Sequence, residues 1–149
     1  MAATLAPVIQ AMTAIGDVPI PALYDVLDST YPNSAFILMF RSPFDWVRSV
    51  RAHIGNRDLH PFERVQYWRY FPSQPASLRT IGDEALYSAF LTHHRDVVTY
   101  FENRDNFLFL DLRHPEAGQK ICNFLGPPPI ELPSISYTVE ARAMAARRG

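Results

Sequence analysis

The stretch AFILMF over residues 35–40 runs without a polar residue into Arg41, Ser42 and Pro43. That junction constrains the fold more than any other part of the chain. A short apolar run with no alternation is how a strand covered on both faces of a parallel sheet reads, although by periodicity alone a buried helical segment reads the same way. The next residues decide for the strand. Ser42 stands where an N-cap accepts a backbone hydrogen bond, Pro43 fills the first helical position, and Asp45 is placed as the acid of a capping box. A helix is therefore expected from Pro43 to about Ile54. A buried strand feeding a capped helix is the tight strand-to-helix turn of an α/β fold, and ligands bind at such turns, at the carboxyl ends of strands.

The rest of the chain supplies partners for that unit. FLFLDL over 107–112 reads as a second strand buried on both faces. Between the two strands, the aromatic and proline-rich residues 55–80, with a short helix at 61–70, read as an excursion over one face, a lid. An amphipathic helix is expected from Asp83 to Asn103, with Ala85, Leu86, Ala89, Phe90, Val97, Val98 and Phe101 as its apolar stripe. Towards the N-terminus a short helix over 4–15 is broken by GDVPIP, and Pro21 opens another over 22–31. Towards the C-terminus EAGQKICNFLG is a helix ended by Gly126, and PPPIELP is an extended run. No repeat or low-complexity tract divides the 149 residues, so one domain over 1–149 is the simplest organisation.

Composition excludes several functions. With 48% apolar and 19% charged residues the chain can bury its own core, but a net charge of -1 offers no basic surface for nucleic acid. Any phosphate recognition has to be local. The single cysteine, Cys122, rules out an internal disulfide framework and fits a reducing compartment. No run is long and apolar enough to span a bilayer, and the first residues lack the basic start of a signal peptide. The expected setting is cytoplasmic, without membrane contact.

Arg41 then needs an explanation. At the carboxyl end of a buried strand, beside the positive end of a helix, an unpaired cation is poorly placed. It is satisfied either by a carboxylate such as Asp45 or Asp111, or by a bidentate grip on a phosphate or sulfate from a ligand. Ser49, eight residues on, faces solvent or bonds the preceding turn when read alone. His93 and His94 are adjacent on a helix and so point apart, and without a cysteine cluster or HxxxH spacing no metal is expected. Tyr67, Trp68, Tyr70 and Phe71 read as core or as the wall of an acceptor pocket.

Together, YPNSAFILMFRSPFDWVRSVRAH resembles the segment of sulfotransferases that use 3′-phosphoadenosine 5′-phosphosulfate (PAPS), in which a buried strand ends in Arg and Ser follows eight residues later. YSAFLTHHRDVVTYFENRDNFLFLDL and ICNFLGPPPIELP are similar to the C-terminal half of the same superfamily, so the likeness spans residues 17–139. The resemblance implies a three-layer, P-loop-NTPase-like sulfotransferase fold with a parallel sheet. It implies transfer of a sulfuryl group from PAPS, as co-substrate, to a hydroxyl or amine on a small-molecule or glycan acceptor. Arg41 and Ser49 would hold the donor's 3′-phosphate. Asp17 occupies the place of the base that takes the acceptor proton, though it also reads as a cap or turn residue. The family closes a basic C-terminal loop over its donor, and Arg142, Arg147 and Arg148 are the candidates here, with a solvated chain end as the other reading.

The chain departs from the family at one point. None of its six glycines lies in a phosphate-loop pattern, so the strand and glycine-rich loop that cradle the 5′-phosphosulfate are expected to be missing. The sheet would then keep an open edge, which has to be covered or paired. A fragment, a sheet completed by a second copy or another protein, and a repurposed fold all stay open. The alternative function is a non-catalytic sulfotransferase-like binding or assembly module. A phosphoryl-transfer domain is disfavoured, since neither a phosphate loop nor a magnesium-binding acid motif is present.

Overall fold

The computed structural model describes residues 13–126. After a 3-10 turn, Ile20–Leu23, come α1 (Tyr24–Thr30), β1 (Phe36–Phe40), α2 (Pro43–Ile54), α3 (Pro61–Trp68), α4 (Asp83–Tyr100), β2 (Phe107–Asp111) and α5 (Ala117–Leu125). The two strands pair in parallel, Phe36 opposite Phe107 and Phe40 opposite Asp111. The arrangement is α/β, as expected. The chain divides after Ala117 into two compact units, the first holding both strands and the second beginning at Gly118.

Local chemistry sets the boundaries. Ser42 caps α2, its hydroxyl accepting from the Asp45 N–H at 3.5 Å, with Pro43 in the first turn. Only half of the expected capping box forms, because the Asp45 carboxylate accepts from Arg48 at 2.7 Å instead of reaching back. The box appears at α3, where the Glu63 carboxylate accepts from the His60 N–H at 2.7 Å. At the end of α5, Gly126 takes φ +86°, the left-handed conformation glycine adopts without strain.

Packing follows the apolar pattern. Tyr24 of α1 and Val97 and Phe101 at the end of α4 are buried against Phe36, Leu38 and Phe107 of the sheet. The Phe101 ring lies 4.9 Å from that of Phe107, stacked at 9°. A second cluster joins α2, α3 and α4 through Val47, Val50, Ile54, Leu59, Tyr67, Phe71, Leu78 and Leu86. A polar clamp ties α1 to the end of α4: buried Asp28 accepts from both Arg104 Nη atoms, each at 2.7 Å, and from the Tyr100 hydroxyl at 3.0 Å. The Arg104 hydrogen bonds hold the Asp28 carboxyl below its ordinary pKa despite burial.

Three expectations need correction. The strands are not buried on both faces: Met39 is 54% and Phe109 48% exposed, because among the described residues the sheet has two strands and no further neighbour. Residues 55–80 are not a lid laid over one face but part of the core, since Leu59, Tyr67, Phe71 and Leu78 all enter the second cluster. Arg51 of α2 also binds this segment, donating to the Leu78 carbonyl at 2.7 Å, to the Ile81 carbonyl and to Asp83 at 2.7 Å. On α4, Ala85 and Val98 are exposed while His93 takes a place on the buried stripe. The expected helix over 4–15 lies outside the described residues except for 13–15, which are not helical, and PPPIELP lies wholly outside them.

Candidate functional site

The pairing of β1 with β2 brings two strand ends together. Leu112 N–H donates to the Phe40 carbonyl at 3.0 Å, so the backbone leaving β2 runs beside Arg41. At this edge neither carboxylate offered to Arg41 by the sequence takes it. Asp45 pairs with Arg48 at 2.7 Å, and Asp111 pairs with Arg113 at 2.6 Å, which holds the Asp111 carboxyl down at about 2. Among the described residues Arg41 has no ion pair. Its Nη2 donates instead to the backbone carbonyl of Asp45 at 2.7 Å.

That bond brings Arg41 towards Ser49. In an α-helix the carbonyl of residue i points at the N–H of residue i+4. The Asp45 carbonyl therefore faces the first backbone atom of Ser49, and a guanidinium docked on it sits at the level of that serine. Ser49 is half-buried, and its hydroxyl makes no hydrogen bond among the described residues. Arg41 leads into α2, whose N-terminal end favours a phosphate or sulfate, and Ser49 lies in the second turn of the same helix.

The remaining sequence candidates fall elsewhere. Asp17 is exposed with φ 64°, its Oδ1 accepting from the Val18 N–H at 2.7 Å and its carbonyl from the Ile20 N–H at 2.8 Å, so it opens the 3-10 turn before α1. His93 is buried against Tyr70, whose hydroxyl lies 2.7 Å from its Nδ1. Burial, reinforced by His94 and Arg69, drives the His93 pKa down to about 4, and burial pushes the Tyr70 phenol up to about 12. His94 turns its Nδ1 to the Phe90 carbonyl at 2.9 Å, and the two imidazoles, expected to point apart, meet edge to face with their centroids 5.5 Å apart. Tyr67 and Phe71 are core, and Trp68 Nε1–H donates to the Pro75 carbonyl at 3.1 Å. No group of residues able to hold a metal occurs among the described residues. Arg142, Arg147 and Arg148 lie outside them.

Sequence reading passed over Arg48 and Arg113. A signal for Arg113 was present: it directly follows the expected strand 107–112, as Arg41 follows 35–40. Arg113, Asp111, His114 and Pro115 line an open depression of about 470 Å³ at the carboxyl end of β2.

Comparison with known proteins gives no match to a curated protein and none to a solved structure. A family model described as the sulfotransferase domain matches residues 1–138, nearly the whole chain, with Arg41, Ser49 and both strands inside the match, and the chain belongs to that family.

Proposed function

We propose that this chain binds PAPS through the donor's 3′-phosphate, with Arg41 and Ser49 as the grip, in the transfer of a sulfuryl group to a hydroxyl or amine acceptor. Support comes from the Arg41 bond to the Asp45 carbonyl, which docks a guanidinium with no ion pair among the described residues on α2, the helix that carries Ser49. The guanidinium fork suits two phosphate oxygens and neutralises charge, while the hydroxyl adds a directional donor that discriminates against nucleotides without a 3′-phosphate. The donor supplies the sulfuryl group, and this chain's residues hold and orient it. Asp17 is the carboxylate assigned to receive the acceptor proton, from an exposed turn with a free Oδ2 among the described residues. The glycine-rich cradle for the 5′-phosphosulfate is not encoded within residues 1–149, so the 3′ half of the donor site is what this chain contributes.

A second reading, a non-catalytic binding or assembly module completed by another copy or another protein, draws on the exposed Met39 and Phe109 of the sheet. Ligand-induced thermal stabilisation separates the two. Under the donor reading, 3′-phosphoadenosine 5′-phosphate (PAP) raises the unfolding midpoint of the wild type, AMP raises it less, and Ser49→Ala narrows the difference. Equal or absent stabilisation by the two nucleotides in folded wild type sinks the donor reading in favour of the module.

A further inference from the structure

The edge formed by the two strand ends holds more guanidinium groups than the donor grip uses. Arg41, Arg48 and Arg113 stand there against the carboxylates of Asp45 and Asp111. Arg48 is spent on Asp45. Arg113 is held differently: its Nε and Nη2 both donate to Asp111, at 2.9 and 2.6 Å, while its backbone N–H donates to the same carboxylate at 2.9 Å. Both oxygens of Asp111 are occupied by this one residue, so the carboxylate repels an approaching anion less than a free one would. The Nη1 of Arg113 has no partner among the described residues, and the side chain is 65% exposed at the mouth of the depression beside β2.

The backbone leaving β2 also runs past the strand end that carries Arg41. The backbone register puts Leu112 against Phe40, and the Asp45 charge, after the larger contacts with Asp111, adds to raising the Arg113 pKa. Asp45 is the residue whose carbonyl holds Arg41. One guanidinium leaves phosphate oxygens unsatisfied, and the unused Nη1 of Arg113 offers a further charge-assisted donor.

We propose that Arg113, oriented by Asp111, is a second cation for the donor's 3′-phosphate. This inference rests on the donor reading of Arg41 and Ser49 and adds a specificity-determining residue to that site. The test is calorimetric titration of wild type, Arg113→Gln and Arg41→Ala with PAP and with AMP at one fixed salt concentration. Arg113→Gln is expected to bind PAP about tenfold more weakly, with its affinity for AMP unchanged. Wild-type affinity for PAP in Arg113→Gln, with binding lost in Arg41→Ala, overturns the role of Arg113 and leaves the grip intact. Equal weakening for both nucleotides also overturns it, because the contact is then not to the 3′-phosphate. A wild type that does not distinguish PAP from AMP removes the donor reading and this inference with it. The exposure of Arg113 makes a folding failure a poor explanation for any of these results, and an unchanged thermal midpoint of the variant checks it.

Discussion

Lowering the pH should destabilise this protein through His93 in a defined window. The imidazole is 7% exposed, and its pKa falls from 6.5 to about 4 in the folded protein, chiefly through burial. Above pH 6.5 the residue is neutral in both folded and unfolded chains and its contribution to stability is fully present. As the pH falls below that value the unfolded chain takes up a proton that the folded protein refuses, so stability drops until the folded pKa is reached. For the pair of values 6.5 and about 4, the loss at pH 5 is about 2 kcal/mol. The assay is urea unfolding of wild type and His93→Gln at pH 7, 6 and 5. The glutamine amide can donate to or accept from Tyr70 but does not titrate. Other groups contribute equally to both proteins, so the wild type should lose about 2 kcal/mol more than the variant between pH 7 and pH 5. Parallel stability curves for the two proteins would refute the reasoning.

Arg51→Met keeps the aliphatic stem but strands the Leu78 and Ile81 carbonyls; at 29% side-chain exposure the expected loss is about 2 kcal/mol, with faster proteolysis within residues 55–81. An unchanged cleavage pattern there would show that Arg51 does not hold the segment. Phe101→Ala, which removes a 1% exposed ring packed on Phe36 and Phe107, should cost about 3–5 kcal/mol in urea unfolding. Gly126→Ala should shorten α5, read as reduced helical signal, because alanine at φ +86° is strained.

The junction at residues 40–43 was legible because its signals are local: an apolar run, a capping serine and a proline at the first helical position all act within a few bonds. The observed α2, Pro43–Ile54, has the bounds expected from them. Burial was less legible, since whether Met39 and Phe109 are covered depends on what else packs on the sheet, which a strand's own pattern does not encode. The partners of Arg41 were harder still. Both nearby carboxylates were visible in sequence, but Arg48 and Arg113 compete for them at closer range, i,i+3 on a helix and two residues along a strand end. His93, set aside in the sequence as a metal ligand, lies in the core, whereas Val98 matched the apolar period yet faces outward. A hydrophobic period identifies a face of a helix, and the neighbouring elements decide how wide that face is.

The most direct test of the central claim observes the phosphate itself. In a phosphorus-31 NMR titration of PAP, the 3′- and 5′-phosphate resonances report separately on the two ends of the nucleotide. Adding the wild-type protein should shift and broaden the 3′ resonance more than the 5′ one, and Arg41→Ala should abolish that difference. A response confined to the 5′ resonance, or the same 3′ response in wild type and Arg41→Ala, would contradict the assignment of Arg41 and Ser49 to the donor's 3′-phosphate.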